Sequence, residues 1–227
     1  MPISKTIKTN RITARDKLSD RNGWRHSIYS PSAPAKDYYK GQWKDDKKEG
    51  KGTEFTRYNW LYEGDWLNGL KHGYGTLSRT AKDGTTFKSY TGNWLHGMKH
   101  GFGGHWYQNG DYYEGTFQKN KKHGFGHMSY GTKAFYRGMW MDDYPHGKGV
   151  LNQANGNTYD GQFFNGKKQG YGVFYHFDTG QLQEGVWDND ICLTSTMKDI
   201  CWRQSAIHPT PYPIPIVSLY FFLSSHK

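Results

Sequence analysis

The pattern of aromatic, glycine and polar positions recurs along the chain with a constant internal spacing. Six copies of Tyr-x-Gly-x-Trp/Phe begin at Tyr39, Tyr62, Tyr90, Tyr113, Tyr136 and Tyr159. In every copy, glycines stand two, eleven and thirteen positions after the tyrosine. Because self-similarity at a fixed period is the signature of a repeat architecture, the sequence predicts six equivalent units. A partial seventh copy follows at residues 183–187.

Each copy predicts two β-strands. Tyr, Gly and the second aromatic alternate with period two, which places them on one face of a strand. A turn follows, with Asn-Gly at Asn68-Gly69 and at Asn165-Gly166. The second strand carries Gly-x-Gly, a strip without side chains over which the rings are expected to lie. We therefore predict an all-β, elongated, single-layer antiparallel meander with at least twelve strands in residues 37–188, about 60 Å long at about 4.8 Å per strand.

One linker between copies is longer than the others. The tyrosines are 23 residues apart except between the second and third copies, where the distance is 28 residues. We assign the five extra residues, within 82–89, to a longer hairpin loop.

Composition divides the chain into three parts. Aromatic residues make up 17% of the chain and there are 29 glycines, but hydrophobic residues make up only 34% and the mean hydropathy is −0.96. Of the net charge of +10, residues 1–36 carry +6. We therefore divide the chain into a basic arm (1–36), the repeats (37–188) and a C-terminal tail (189–227), the arm and tail being flexible or extended. A basic arm is typical of segments that bind acidic protein tails, anionic lipid or nucleic acid, and the alternative is a solvated flexible tail without a partner.

The cysteines and apolar segments indicate a cytoplasmic protein. Cys192 and Cys201 are the two cysteines, and no apolar signal segment opens the chain. Free thiols in the cytosol are therefore expected. The apolar run 214–223 is too short to span a bilayer, which takes about 20 residues.

No catalytic, cofactor or metal site is predicted. The chain lacks a nucleophile elbow and a phosphate loop of the GxxxxGK[ST] type. His72, His100, His123 and His146 all precede the second glycine of a copy. Repeats about 10 Å apart hold these imidazoles too far apart to share one ion, so we interpret them as turn residues that bond local backbone.

The complete motif resembles the MORN repeat. The pattern Tyr-x-Gly-x-Trp-x-x-Gly-x-x-His-Gly-x-Gly is nearly complete at residues 62–75 and 90–103, and the resemblance covers about residues 37–188. It implies a twisted sheet of hairpins that acts as a scaffold, and in some members binds lipid. Family members are associated with the cytoskeleton, cilia and sperm, including the acrosomal region. The last dozen residues depart from the acidic, helix-like ending expected of the resemblance.

Two surfaces are candidates for binding. A single sheet cannot bury both of its faces alone, and exposed Tyr and Trp are common interface anchors. We predict that a partner protein or peptide docks on the aromatic face, chiefly through Tyr62, Trp66, Tyr90, Trp94, Tyr113, Phe117, Tyr136 and Trp140. A row of hairpin-tip lysines is the second surface and would contact anionic partners: Lys48, Lys71, Lys99, Lys122 and Lys168.

Other occupants of the aromatic face remain open at this point. The segment 209–215, Pro-Thr-Pro-Tyr-Pro-Ile-Pro, favours polyproline II and could lie along it. The open edges of a meander also favour strand addition or a homodimer. The predicted function is a non-enzymatic scaffold in a cytoskeletal assembly, with a peripheral membrane module as the alternative. Nucleic-acid binding is disfavoured because the basic excess lies outside the repeats.

Overall fold

The computed structural model describes residues 21–28, 37–177 and 179–200. This part of the chain is all-β, with fifteen strands and no helix. The basic arm up to residue 20, residues 29–36 and the tail after residue 200 lie outside the described residues. The chain separates into two compact units, 1–98 and 99–227.

The first unit contains six strands in chain order. Each described pair is antiparallel and joins consecutive strands. The strands are β1 (Gly23–Ile28), β2 (Tyr38–Lys44), β3 (Lys47–Phe55), β4 (Trp60–Leu67), β5 (Leu70–Thr80) and β6 (Thr86–Leu95). Strand β1 lies in the segment that the sequence assigned to the basic arm, so the sheet begins earlier than the repeat pattern does.

The second unit contains nine strands with the same antiparallel, consecutive pairing. They are β7 (Met98–Trp106), β8 (Tyr112–Gln118), β9 (Lys121–Ser129), β10 (Phe135–Met141), β11 (Tyr144–Asn152), β12 (Thr158–Phe164), β13 (Lys167–His176), β14 (Gln181–Asp188) and β15 (Ile191–Asp199). Thirteen strands, β2 to β14, fall within residues 37–188. The predicted fold class, with at least twelve antiparallel strands, is confirmed. Strand β15 completes a seventh hairpin.

The turns inside the repeats have two residues in the left-handed conformation. Positive φ occurs at Asp45-Asp46, Asn68-Gly69, His96-Gly97, Lys119-Asn120, Asp142-Asp143, Asn165-Gly166 and Asn189-Asp190. Two consecutive positive φ values define the type I′ turn, whose twist matches that of the flanking strands. Gly, Asn and Asp tolerate this conformation best, which explains why these residues fill most of the turns.

The turns between the six full repeats are three-residue loops, including the one with the long linker. In that loop the N–H of Ala81 donates to the carbonyl of Thr85, enclosing 82–84. The prediction of a longer loop is therefore wrong. The five extra residues lengthen the strands instead: β5 has 11 residues where β3, β7, β9 and β11 have nine, and β6 has ten where β2, β8, β10 and β12 have seven. Pairing extra residues satisfies backbone groups that a loop would leave to solvent.

A β-bulge recurs in most of the hairpins and uses the glycine eleven positions after the tyrosine. In the first hairpin, Gly41 pairs with Gly52 and Trp43 pairs with Lys48, so β3 holds two more residues than β2 between these pairs. Gly50, within that bulge, has a φ of 60°. The equivalent glycines of the other five repeats have φ between 62° and 70°. This left-handed backbone accounts for the constancy of this glycine.

Each repeat turn also bonds to the preceding hairpin. From the second repeat onward, the second turn residue donates its N–H to a carbonyl of the previous repeat, that of the residue nine positions after that repeat's tyrosine. The N–H of Asp143, for example, donates to the carbonyl of Lys122 at 3.0 Å. Where the second turn residue is Asn or Asp, its side chain accepts the N–H of the same residue: Asn120 from Lys99, Asp143 from Lys122 and Asp190 from Lys168, at 2.8–2.9 Å. The turns are thereby joined along one side of each unit.

Candidate binding faces

The core lies on one face of each unit and consists of the repeat aromatics. Each repeat tyrosine donates its hydroxyl to the carbonyl three residues later, at 2.8–3.2 Å. The indole N–H of Trp66, Trp94 or Trp140 donates to a glycine carbonyl of the preceding strand, at 3.1–3.3 Å. These bonds pair the polar atoms of the rings named, whereas Nε1 of Trp43 is buried and has no hydrogen-bond partner among the described residues.

The rings form an edge-to-face ladder within each unit. Tyr113 contacts Phe117 of its own repeat and Trp140 of the next, with centroids 5.1 and 5.3 Å apart and nearly perpendicular planes. Tyr62 makes the equivalent contacts in the first unit, with Trp66 and Trp94. Such pairs contribute about 0.5–1.5 kcal/mol each beyond the area they bury. Neighbouring repeats are therefore held together by shared rings.

The glycine strip lies directly beneath the tyrosine rings, as the sequence predicted. A Cβ on Gly126 would lie 2.3 Å from the Tyr113 hydroxyl oxygen and 2.6 Å from two of its ring carbons. A Cβ on Gly115 would lie 2.5 Å from the Cα of Gly126. Two facing glycines therefore give the ring its space, and any side chain there would displace it.

The expectation that the repeat aromatics form an exposed docking face is wrong. The eight predicted protein-binding residues are between 0 and 5% exposed: Tyr62, Trp66, Tyr90, Trp94, Tyr113, Phe117, Tyr136 and Trp140. Each ring is covered by neighbouring rings, by the glycine strip and by lysine side chains. Burial raises the pKa of the Tyr62, Tyr90, Tyr113 and Tyr136 hydroxyls. These rings form the core and offer almost no surface to a partner.

The five predicted lysines lie in strands and not at hairpin tips. Lys48 pairs with Trp43, and Lys122 pairs with Phe117, so each stands on the core face opposite an aromatic residue. All five are half-buried: Lys48, Lys71, Lys99, Lys122 and Lys168. The Lys122 ammonium lies 4.3 Å from the Trp140 ring centroid, within cation–π range. The lysine stems thus cover the core rings, and contact with an anionic partner remains a prediction for the ammonium groups.

Burial changes the acidity of these lysines. It lowers the pKa of Lys71, Lys122 and Lys168, and it lowers the pKa of Lys99 to about 8. The Nζ of Lys99 lies 2.8 Å from Nδ1 of His105. Burial, and then the charge of Lys99, lower the pKa of His105 to about 4. At neutral pH, His105 is therefore uncharged and can accept a hydrogen bond from the Lys99 ammonium.

The repeat histidines lie in strands beside the left-handed glycine, not in turns. Nδ1 of His72, His123 and His146 is buried and has no hydrogen-bond partner among the described residues. The expectation that they bond local backbone is therefore not met at Nδ1. In the described ranges, no three His, Cys, Asp or Glu side chains are grouped as metal ligands would be.

The opposite face of the second unit carries a continuous row of side chains that the sequence reasoning missed. Residues from eight consecutive strands, β7 to β14, form it, and we call it the outward row: Phe102, Thr116, Phe125, Met139, Lys148, Gln162, Tyr171 and Val186. The strand register places Phe102 beside Thr116, Phe125 beside Met139, Lys148 beside Gln162 and Tyr171 beside Val186.

The aromatic members of the outward row are open to solvent. Phe102, Phe125 and Tyr171 are 56, 52 and 57% exposed, and each stands between the two glycines of a Gly-x-Gly strip. The guanidinium of Arg137 lies 5.5 Å from the Phe125 ring centroid. In the first unit, Tyr74 occupies the same position and is equally exposed. The position between the glycines is aromatic in four of six repeats, and period-two alternation would have identified it as the outer face.

A second group of exposed apolar residues flanks the type I′ turns. In the first unit these are Leu70 and Leu95, and in the second they are Met141, Tyr144 and Phe164. Lysines also stand beside the turns, as at Lys47 and Lys121. Hairpin tips of both units thus mix apolar and basic side chains.

Comparisons with known proteins support the resemblance seen in the sequence. A sequence model described as "MORN repeat" matches residues 39–56, 62–81, 90–112, 113–133, 136–158 and 159–180. The chain is 46% identical over 206 residues to MORN repeat-containing protein 3 of Xenopus laevis, covering 90% of this chain and 85% of that protein. A protein of the same name from Bos taurus is 46% identical over 46 residues, 20% of this chain and 19% of that protein. Within the described part there is no helix long and apolar enough to cross a membrane. The chain belongs to the MORN-repeat family.

Proposed function

We propose that this chain is a non-enzymatic scaffold that binds a partner protein through the outward row. The observation that carries the proposal is the exposure of Phe102, Phe125 and Tyr171 at the same position of three repeats. Exposed aromatics on a rigid sheet are common anchors of protein interfaces because they bury a large area at low entropic cost. The core rings remain available to hold the sheet rigid beneath them.

The strand register supports this surface over the core face. Met139 and Val186 are exposed, and each lies opposite an aromatic of the row, Phe125 and Tyr171 respectively. Lys148 and Gln162 add polar groups between these two apolar pairs. An apolar surface with convergent polar groups gives both affinity and orientation.

We further propose that the scaffold works in a cytoskeletal assembly of cilia or sperm. This follows from the family resemblance, which also suggests a cytoplasmic location at the cytoskeleton, the cilium or the acrosomal region. Immunofluorescence of the endogenous chain in ciliated cells and sperm tests it. If the chain stained diffusely and the staining disappeared when detergent extracted the cytosol, attachment to a cytoskeletal assembly would be contradicted.

The test of the outward row is a pull-down from native tissue with matched variants. Phe125→Ser with Tyr171→Ser should strongly weaken capture of the partners, because two of the three exposed aromatic anchors are lost. Met197→Ser is the control, since Met197 is 50% exposed in the same unit but lies on β15, outside the outward row. All three chains must first give the same β signature by circular dichroism. Retention of every partner by the double variant would refute the outward row as the binding surface.

A second candidate function is attachment to an anionic membrane surface through the hairpin tips. Tyr144 and Phe164 are exposed beside the turns of the second unit, and Lys121 and Lys167 add positive charge. Apolar tips with adjacent lysines suit a headgroup layer, and attraction by exposed lysines falls steeply with salt. Flotation with vesicles containing phosphatidylserine, with and without about 0.5 M salt, distinguishes the functions. Lipid attachment should be lost at high salt, and the row-dependent protein contacts should persist.

A further inference from the structure

We propose that the chain's own segment 209–215 docks on the outward row as a polyproline II helix. This inference rests on the proposed use of the row as a binding surface and names its first occupant. The segment reads Pro-Thr-Pro-Tyr-Pro-Ile-Pro and lies outside the described residues. Three observations carry the proposal: the composition of the row, its spacing, and the distance from the end of β15.

The composition of the row suits a proline-rich ligand. Polyproline II segments bind aromatic-lined grooves because proline rings pack on aromatic faces and the helix is already ordered before binding. Phe125 and Tyr171 supply exposed rings. Gln162 and Lys148 lie between them on the surface and carry hydrogen-bond donors. Donors are needed because polyproline II makes no internal hydrogen bonds and leaves its carbonyl groups free.

The spacing of the row matches the pitch of the ligand. Two strands of about 4.8 Å separate equivalent positions in successive repeats, which gives a repeat of about 9.6 Å. A polyproline II helix has three residues per turn and rises about 3.1 Å per residue, so the same face recurs every 9.3 Å or so. Pro209, Tyr212 and Pro215 share one face of such a helix. They would therefore face Tyr171, Lys148 and Phe125, in that order.

The chemistry of these three pairs is consistent. Pro209 and Pro215 would each pack on an aromatic ring, of Tyr171 and Phe125. Tyr212 would face the Lys148 ammonium, an arrangement that permits a cation–π contact. The opposite polarity of the segment would place Pro215 on Tyr171, nearer to β15, and would require the linker to reach further.

The linker is long enough for this arrangement. Ile200, at the end of β15, is buried and donates its N–H to the carbonyl of Gly180 at 3.1 Å, which fixes where the tail leaves the sheet. Thr194 pairs with Val186, and Val186 with Tyr171, so Tyr171 lies two strands away, about 10 Å. Ile200 comes six positions after Thr194, about 20 Å along the strand. The path from Ile200 to Tyr171 is thus about 22 Å, and residues 201–208 reach up to about 30 Å.

The test is paramagnetic relaxation enhancement on the full chain. A nitroxide is attached at Ser218→Cys after Cys192→Ser and Cys201→Ser, and amide peaks are recorded by NMR. Ser218 lies one further polyproline II turn beyond Pro215, so the docked tail places the label near Phe102. Amides around Phe102 and Phe125 should lose most of their intensity. Phe125→Ser with Tyr171→Ser should restore it, and the control Met197→Ser, which changes an exposed residue of β15 outside the outward row, should not.

Two outcomes would overturn the proposal. One is equal amide intensities in the parent chain and the double variant, which would show that the tail ignores the row. The other is broadening of the amide peaks of an isotope-labelled chain without nitroxide when it is mixed with a spin-labelled chain. That result would show that the row binds the tail of a second copy. Failure here leaves the pull-down result untouched, because a partner can bind a row that the tail leaves open and can displace a tail that occupies it. If the double variant retained every partner in the pull-down while the relaxation measurement showed a docked tail, only the proposed partner surface would be refuted.

Discussion

Replacement of Gly115 by alanine tests the close packing of tyrosine on bare backbone. The added Cβ would lie 2.5 Å from the Cα of Gly126, 2.5 Å from the Tyr113 hydroxyl oxygen and 2.8 Å from the carbonyl oxygen of Phe125. Unbonded carbon atoms prefer a separation of about 3.5–4.0 Å. Two of the three contacts are backbone atoms of the paired strand. Relief therefore requires both a shift of the ring and a local separation of the strands.

The expected loss of stability follows from the contacts that the shift would break. Displacing Tyr113 weakens its hydrogen bond to the Thr116 carbonyl, about 0.5–1.5 kcal/mol. It also weakens its ring contacts with Phe117 and Trp140, about 0.5–1.5 kcal/mol each. Alanine restricts the unfolded chain and returns about 0.4–1 kcal/mol. The net destabilisation should be about 0.5–4 kcal/mol, a fall in melting temperature of roughly 1–16 °C for a chain of this size.

The assay is thermal unfolding followed by tryptophan fluorescence and by circular dichroism. Gly104→Ala is the matched control, because its Cβ would meet only side-chain atoms, of Tyr112 and Trp106, at 2.8 Å or more. Those side chains can move, so the control should melt within a few degrees of the parent chain. If Gly115→Ala melted no lower than Gly104→Ala, the packing argument for the glycine strip would be refuted.

Two other substitutions test the energetics of the core. Tyr113→Phe should destabilise by about 1 kcal/mol, since the Thr116 carbonyl loses its donor; a urea midpoint equal to that of the parent would contradict this. Lys99→Met should stabilise the chain at pH 7, because burial lowers the pKa of Lys99 to about 8 and so penalises its charged form in the folded state. The folded chain then binds fewer protons than the unfolded chain between about pH 8 and 10.5, so stability from Lys99 rises with pH in that window. The advantage of Lys99→Met, measured by thermal unfolding, should therefore shrink at pH 10, and a constant advantage would refute it.

The strand pattern was predictable because it depends on local rules. Period-two alternation and Asn-Gly pairs specify hairpins without knowledge of distant contacts. The long linker was misassigned because its extra residues were read as a loop. The sequence around Lys82, Asp83 and Gly84 shows the turn, but it does not show that the flanking residues continue to pair. Strands β1 and β15 were missed for the same reason, since pairing with a neighbour can make a strand of residues that lack the repeat pattern.

The candidate site was harder to predict because burial depends on what covers a face. The sequence correctly placed Tyr113 and Trp140 on the same face as the glycines, but it treated a single layer as unable to bury that face. The structure shows that the rings fill the space above the glycine strip and that lysine stems, such as that of Lys122, cover them. A lysine stem is long enough to cover apolar surface while its ammonium stays near water. The exposed aromatics are therefore those between the glycines.

The hydrogen bonds between each turn and the preceding repeat mean that the repeats are not interchangeable in a duplicated or designed array. At Asn120, Asp143 and Asp190, a turn side chain accepts a main-chain N–H of the repeat before it. Pro145 occupies the corresponding donor position before the turn Asn165-Gly166. Gly166 has no side chain, so the N–H that proline lacks leaves no acceptor unsatisfied there. A graft that placed the Pro145 hairpin before an Asn-Asp or Asp-Asp turn would leave the carboxylate of the second turn residue without its main-chain N–H donor. Engineered arrays of this repeat should therefore be assembled from consecutive pairs, with each hairpin kept beside the turn that follows it.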